Sequence, residues 1–223
     1  MDRPQKSRRN LDPKIGRPAH PRSGQIKIIP ILRAMQPSLS VPLKLETERL
    51  LLRQPEEDDA ASIFERYAQD PEVTRFLIWK PHRDLKETRE FIQRCQRVWT
   101  EGTAYPWVII RKSDHLLLGM IELRPEGHKA EFGYVLARDA WGRGYMTEAV
   151  RALVGWTLAE PQIWRVWAYC QVQNIASARV LEKAGLQREG LLKRWAIHPA
   201  FGAEPQDCFS YAVVKEVGEG SAC

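Results

Sequence analysis

The sequence predicts a single domain of the α/β (α+β) class with about seven strands and four helices, in the order β-α-α-β-β-β-α-β-α-β-β. Three observations carry this. Short β-rich runs alternate with longer stretches of helical spacing. Glycine, proline, serine and aspartate punctuate the joins. The 223 residues are near the upper end of one domain, with no internal repeat.

ERLLLRQ, residues 48–54, reads as the first strand. Pro55 then leads into a helix over EEDDAASIFERYAQD, where acidic residues crowd the first turn and Ile63, Phe64 and Tyr67 fall at helical spacing. A second helix is predicted over 85–102, with Leu85, Thr88, Phe91, Ile92, Cys95, Val98 and Trp99 along one stripe and Gly102 as its stop. Strands at 107–112, 116–123 and 130–137 are separated by Ser113–Asp114 and by Pro125–Glu126–Gly127. A glycine-punctuated loop precedes a helix from about Thr147 to Ala159. A strand at 165–172, a helix at about 175–184 closed by Gly185, and strands at 189–197 and 208–215 complete the order.

Residues 1–43 stand apart. They hold nine of the Lys and Arg residues against Asp2 and Asp12, seven of the 15 prolines, and no sustained period. Such a stretch buries too little apolar surface to offset its ordering entropy, so a disordered tail is predicted before a domain at 44–223. A translation start at Met35 is the alternative for residues 1–34. Of the net charge of +6, the tail carries +7 and the remaining 180 residues −1. Nucleic-acid binding is therefore not expected of the domain, and an RNA- or ribosome-associated role would rest on the tail. Cys95, Cys170, Cys208 and Cys223 form no CxxC pair, and His20, His82, His115, His128 and His198 have no metal-site spacing, so no metal is expected. No apolar run approaches a membrane span and no secretory signal opens the chain, which points to a cytoplasmic protein with no membrane partner.

The most informative segment is RDAWGRGYMTEA, residues 138–149. Gly142 and Gly144 fall between a strand and a helix, where glycine lets backbone N–H groups approach a ligand without a Cβ in the way. The helix start adds unpaired N–H donors and a positive dipole end, which suit a pyrophosphate. A tight turn needing glycine only for positive φ is the alternative. No Gly–Lys–Ser/Thr follows, and the dinucleotide pattern lacks its third glycine.

WGRGYMTEA resembles the acyl-CoA pyrophosphate loop of the GCN5-related N-acetyltransferases (GNAT), in the branch of ribosomal-protein alanine N-terminal acetyltransferases. The family pattern Gln/Arg-x-x-Gly-x-Gly/Ala starts here at Trp141 and ends at Met146, and both positions depart from it. NIASARVLEKAGL, residues 174–186, resembles the family's N-x-x-S-x-R-V-L-E-K-x-G-F, and ETERLLLR agrees with its first strand. The resemblance covers about residues 44–216. It implies a mixed, mostly antiparallel sheet splayed into a V between the fourth and fifth predicted strands, with acetyl-CoA as co-substrate in the gap. It further implies that amides near Val135 and Leu136 hold the pantetheine arm, and that those of Gly142, Arg143, Gly144, Tyr145, Met146 and Thr147 take the pyrophosphate. Asn174 would bond the pantetheine or thioester, or cap the helix. Arg179 would reach the 3′-phosphate, or lie on a solvated face.

The implied activity is direct acetyl transfer to a primary amine, either a protein N-terminus or a small molecule. A non-catalytic acyl-CoA-binding regulator is the alternative. Much of the family places a proton-donating Tyr four residues after the Ser177 position; here that residue is Leu181, and the role passes to Ser177, whose other reading is a plain third-position helix hydroxyl. For the base the resemblance points to Glu131, with deprotonation through water beside it. A second family base position falls on Ala196, leaving Glu122, Glu204 and Asp207 as spare carboxylates. An α-amine with pKa about 7.8 is roughly one-third neutral at pH 7.5, whereas a Lys amine is only about 0.1% neutral, a difference of roughly 3.5 kcal/mol. Trp79 and Trp107 are candidate cleft residues; Trp99, Trp156 and Trp167 are assigned to core faces. His82, His115 and His128 are assigned to solvated turns, and Cys170 to a buried strand position. The C-terminal strands could support a homodimer.

Overall fold

The computed structural model describes residues 39–216. The tail prediction for residues 1–38, and the thiol of Cys223, lie outside the described residues. Of residues 39–43, placed above in the tail, Leu39 and Val41 pack on the core, and the Trp107 indole N–H donates to the Pro42 carbonyl at 3.2 Å.

The described residues fold into one eight-stranded sheet with helices on both faces. The strands are β1 (Lys44–Glu46), β2 (Leu50–Arg53), β3 (Tyr105–Arg111), β4 (Leu116–Glu126), β5 (Lys129–Leu136), β6 (Arg165–Gln171), β7 (Gln187–Ala196) and β8 (Gln206–Val214), in the spatial order β1-β2-β3-β4-β5-β6-β8-β7. All neighbours are antiparallel except β5 and β6. The eighth strand is β1, whose three residues are too few to show a period of their own; pairing of Lys44 with Arg53 and Glu46 with Leu51 makes it a strand.

The helix predicted after Pro55 is a composite: a 3-10 turn at Glu57–Asp59, α1 (Ala60–Ile63) and a π turn at Phe64–Ala68. A separate short helix, α2 (Pro71–Thr74), follows, its Asp70 cap accepting from the Glu72 N–H. The composite is anchored by the buried Asp59 carboxylate, which takes both Arg53 Nη groups at 2.7 and 2.8 Å and the Glu56 N–H at 2.8 Å. A carboxylate so enclosed is tolerated because a bidentate guanidinium and an amide replace its water. Helix α3 (Leu85–Glu101) buries Thr88, Ile92 and Cys95 of the predicted stripe.

Two cores result. One face of the sheet packs Leu50, Trp107, Ile121 and Phe132 against α4 (Tyr145–Ala159) and α5 (Ile175–Lys183). The other packs Val108, Leu117 and Met120 against the α1–α3 segments. Trp99 and Trp156 pack on the first core as expected. Trp107, assigned to a cleft, is instead fully buried there. Trp167, assigned to the core, is half-buried beside Tyr169 and Trp195 on a part of the sheet that α1–α3 do not cover, because strand alternation gives the covered face of β6 to Val166, Ala168 and Cys170.

The feature that positions the site is the parallel pair. Lys129, Ala130 and Glu131 pair with Arg165, Val166 and Trp167, and pairing then stops. From Phe132 and Ala168 onward the two strands diverge, which is the V expected between the fourth and fifth predicted strands.

Candidate active site

The wedge between β5 and β6 continues into a cleft of about 1440 Å³. All twelve residues singled out from the sequence line it: Glu131, Val135, Leu136, the run from Gly142 to Thr147, Asn174, Ser177 and Arg179.

At one end lies the loop before α4. Gly142 and Gly144 adopt φ of 73° and 78°, a left-handed conformation that an L side chain adopts only with strain. A Cβ at Gly142 would meet nothing within 4 Å, so the glycine leaves its space open. Gly144 is the N-cap of α4 and no side chain caps that helix, leaving its first N–H donors to the cleft. Met146 sends its side chain into the core, so its departure from the family pattern does not fill the cradle. The loop is stapled to the turn between β1 and β2. Glu148 accepts from Arg49 Nε at 2.6 Å, from the Arg49 N–H at 2.9 Å and from Thr47 Oγ1 at 2.5 Å. Burial raises the Glu148 pKa, but these donors outweigh it and hold the carboxyl below its ordinary range. Arg49 also donates to the Arg143 carbonyl at 3.1 Å and lies 4.7 Å from the Tyr145 ring centre. These contacts bring Arg49, which the sequence reading passed over, to the loop.

Along the wedge, only alternate β5 amides are free. The Ala137 N–H bonds to the Leu118 carbonyl at 2.7 Å, so the backbone of Val135 faces β4 as well. The Leu136 and Tyr134 amides face the gap. Of the two pantetheine amides expected, Leu136 has this orientation and Val135 does not; Tyr134 takes its place. The Leu136 carbonyl accepts from the half-exposed Trp141 indole at 2.8 Å, which folds the loop against the strand.

On the α1–α3 face, the floor is an ion cluster. Arg124 bonds Glu131 at 2.8 Å and Glu122 at 2.5 Å, and both carboxylates line the cleft. A Cβ at Gly133 would come to 3.2 Å from Arg124 Nη2, a tight contact that a small shift of the guanidinium would relieve. Burial opposes the Arg124 charge, yet the two carboxylates prevail and its pKa is raised. Trp79 lines the cleft as expected. His82, assigned to a solvated turn, is half-buried between Trp79 and Phe91, with Nδ1 2.8 Å from Thr88 Oγ1. Burial holds its pKa below the ordinary value.

Across the wedge, Asn174 Oδ1 caps α5 by accepting the Ser177 N–H at 3.1 Å, the local role left open for it above. Ser177 Oγ lies 2.7 Å from the Tyr134 hydroxyl. Tyr134 was missed because it carries no motif; the signal was its place two residues from Leu136, on the strand face opposite Glu131. Arg179 is exposed and has no ion pair among the described residues. Cys170 is buried, and burial pushes its thiol up to about 12. Among the described residues, no helix is long and apolar enough to cross a membrane, and no group of three His, Cys, Asp or Glu is placed to hold a metal ion.

Comparison with known proteins agrees in kind. A sequence model described as the acetyltransferase (GNAT) domain matches residues 49–187. The chain is 34% identical over 152 residues to a Bacillus licheniformis protein named as the uncharacterized N-acetyltransferase p20, covering 67% of this chain and 85% of that one. It is 22% identical over 164 residues to the [ribosomal protein uS5]-alanine N-acetyltransferase of Escherichia coli, covering 70% and 84%. Among solved structures, a GNAT-family acetyltransferase from Bacillus anthracis superposes with a TM-score of 0.67 at 28% identity, over 77% of this chain and 98% of that one.

Proposed function

The chain belongs to the GNAT family and is an N-acetyltransferase, and from that premise we propose that it moves the acetyl group of acetyl-CoA directly to a primary amine while both are bound. The observation that carries this reading is the wedge itself. Pairing of β5 with β6 ends at Glu131 and Trp167, an uncapped helix start opens at one end of the resulting cleft, and a carboxylate cluster forms its floor.

In this reading the amides from Gly142 to Thr147 hold the pyrophosphate, with Arg143 and Arg49 adding positive charge. The Leu136 and Tyr134 amides bond the pantetheine arm as though it were another strand. Arg179 meets the 3′-phosphate from the exposed face of α5. Asn174 holds Ser177 by its amide, and the Ser177 hydroxyl supplies the proton that the departing sulfur needs. Glu131 receives the proton lost by the amine, directly or through water.

The floor also bears on the acceptor. Glu122 and Glu131 share one arginine, so the carboxylates offered to the amine's proton are already engaged by a cation. Such a site favours amines already partly neutral. An α-amine, at about pKa 7.8 against 10.4 for lysine, asks roughly 3.5 kcal/mol less of the base. A protein or peptide N-terminus, or a small molecule with a weakly basic amine, is therefore the proposed acceptor. Thiol release from acetyl-CoA across a panel of N-terminal peptides, small amines and Nε-lysine peptides tests this. Faster turnover of α-amines is expected; preference for lysine overturns the acceptor assignment, and CoA binding without acetylation of any amine favours a non-catalytic regulator.

A further inference from the structure

We propose that Tyr134 is a positioning residue for acetyl transfer: its hydroxyl, donated to Ser177 Oγ, turns the serine proton toward the cleft and supports the serine oxygen as that proton leaves. The proposal rests on the acetyl-transfer reading above and on Ser177 as the proton donor.

The geometry is specific. Tyr134 reaches from β5 and Ser177 from α5, and both line the cleft where the strands diverge. Their hydroxyl oxygens are 2.7 Å apart, while the next acceptor of the phenol, the Ser177 carbonyl, is at 3.3 Å. The 2.7 Å separation admits either hydroxyl as donor; the shared proton is assigned to the phenol, since a phenol is a stronger acid than an aliphatic alcohol. The serine hydrogen is then left free to bond elsewhere. The Asn174 cap fixes the other end of the residue through its N–H at 3.1 Å, and the Cys170 thiol is a further neighbour of the Ser177 hydroxyl.

The sequence leaves room for such a partner. The position four residues after Ser177 is Leu181, wholly buried in the core, so no hydroxyl reaches the cleft from that turn of α5. Tyr134 brings one from the opposite wall. Its other titratable neighbours are the Cys170 thiol and the Tyr211 hydroxyl, the latter bonded to Glu182 at 3.1 Å. Burial pushes the Tyr134 phenol well above its ordinary range, which keeps it protonated and able to donate.

In the step itself, the amine nitrogen bonds the acetyl carbon and the carbon–sulfur bond breaks with its electron pair on sulfur. Sulfur takes the Ser177 proton, the amine's extra proton leaves to Glu131 or water, and Ser177 regains a proton from water. The Tyr134 hydrogen bond strengthens as charge gathers on the serine oxygen and relaxes when the proton returns.

Tyr134→Phe removes one oxygen and keeps the ring, whose centre lies 6.2 Å from that of Phe132. The expected result is a loss of about tenfold or more in kcat with KM for acetyl-CoA within about twofold. Ser177→Ala should lose at least as much, and the double variant should be no slower than Ser177→Ala within about twofold, because the phenol acts through the serine. A Tyr134→Phe enzyme within about twofold of the native kcat, or losses that multiply in the double variant, overturns the proposal. Should Tyr134→Phe not fold, 3-fluorotyrosine placed at position 134 alone keeps the hydroxyl but makes it more acidic. Its kcat should change in the native background and not beside Ser177→Ala; no change overturns the proposal. Absence of turnover in the unaltered chain would overturn the acetyl-transfer reading itself, an outcome distinct from either.

Discussion

Replacing Gly144 by alanine separates the two roles available to the loop glycines. In the free protein the new Cβ would meet only Arg49 Nη2, at 3.6 Å, an ordinary contact, so the structural cost is the left-handed φ of 78°. That strain is about 1–2 kcal/mol, and for a domain of this size each kcal/mol lowers Tm by roughly 2–4 °C. The same methyl group would stand at the N-terminus of α4, where the proposed reading brings phosphate oxygens to the amides. Loss of one charge-assisted hydrogen bond there costs about 1.5–3 kcal/mol, or roughly 10–100-fold in Kd for CoA. Thermal melts and calorimetric titration with CoA read the two effects separately. Gly155 supplies a control, since it lies in α4 with nothing within 4 Å of a built Cβ. Gly155→Ala should restore up to about 1 kcal/mol through helix propensity. Added to Gly144→Ala, it should recover Tm and leave CoA binding weak. If Gly144→Ala lowers Tm while CoA binds as tightly as before, the glycine serves only the turn and the pyrophosphate assignment is refuted.

Glu148→Gln should loosen the staple between the loop and the β1–β2 turn, costing about 1–2 kcal/mol after allowance for an Arg49 side chain 43% exposed, and raise KM for acetyl-CoA. Because the folded Glu148 pKa lies below its ordinary 4.5, its contribution is present above that value and is lost as pH falls through the folded pKa; urea melts of native and Glu148→Gln protein should therefore converge on acidification. Glu131→Gln should reduce kcat by about tenfold or more, and a loss below about threefold would exclude Glu131 as the base. Glu122→Gln, which opens the other arm of the Arg124 cluster, is the comparison that separates proton transfer from charge rearrangement. The Cys95 and Cys208 thiols, pushed by burial up to about 12 and about 11, should resist iodoacetamide at pH 8 in the folded protein and react on unfolding, as peptide mapping can show.

Much of the frame was legible because periodicity and turn chemistry are local. The α3 stripe, the turns between β3, β4 and β5, and the glycine-flanked start of α4 follow from neighbouring residues alone. What the sequence did not yield is long-range. β1 exists only through its partner, and the composite helix after Pro55 passes from a 3-10 turn to α1 where Asp59 meets Arg53. Trp107 is buried and Trp167 only half-buried because burial on a strand depends on which helices cover each face as well as on alternation. In the site, the loop, Asn174 and Ser177 carried motifs; Arg124 and Tyr134 did not, and Arg49 carried only a likeness to a first strand. Arg49 reaches its place across 99 positions to Glu148, and Tyr134 meets Ser177 across 43. The orientation of the Val135 amide likewise depends on its register with β4, which residue type does not encode.

In the proposed reading, backbone amides at the start of α4 hold the diphosphate of CoA within the β5–β6 wedge. Calorimetric titration of the protein with acetyl-CoA, set beside acetyl-pantetheine, which has the thioester arm but no diphosphate, tests it most directly. Saturable binding of acetyl-CoA at one site per chain is expected, with acetyl-pantetheine weaker by about 100-fold or more. No heat with acetyl-CoA, or equal affinity for the two, would contradict it.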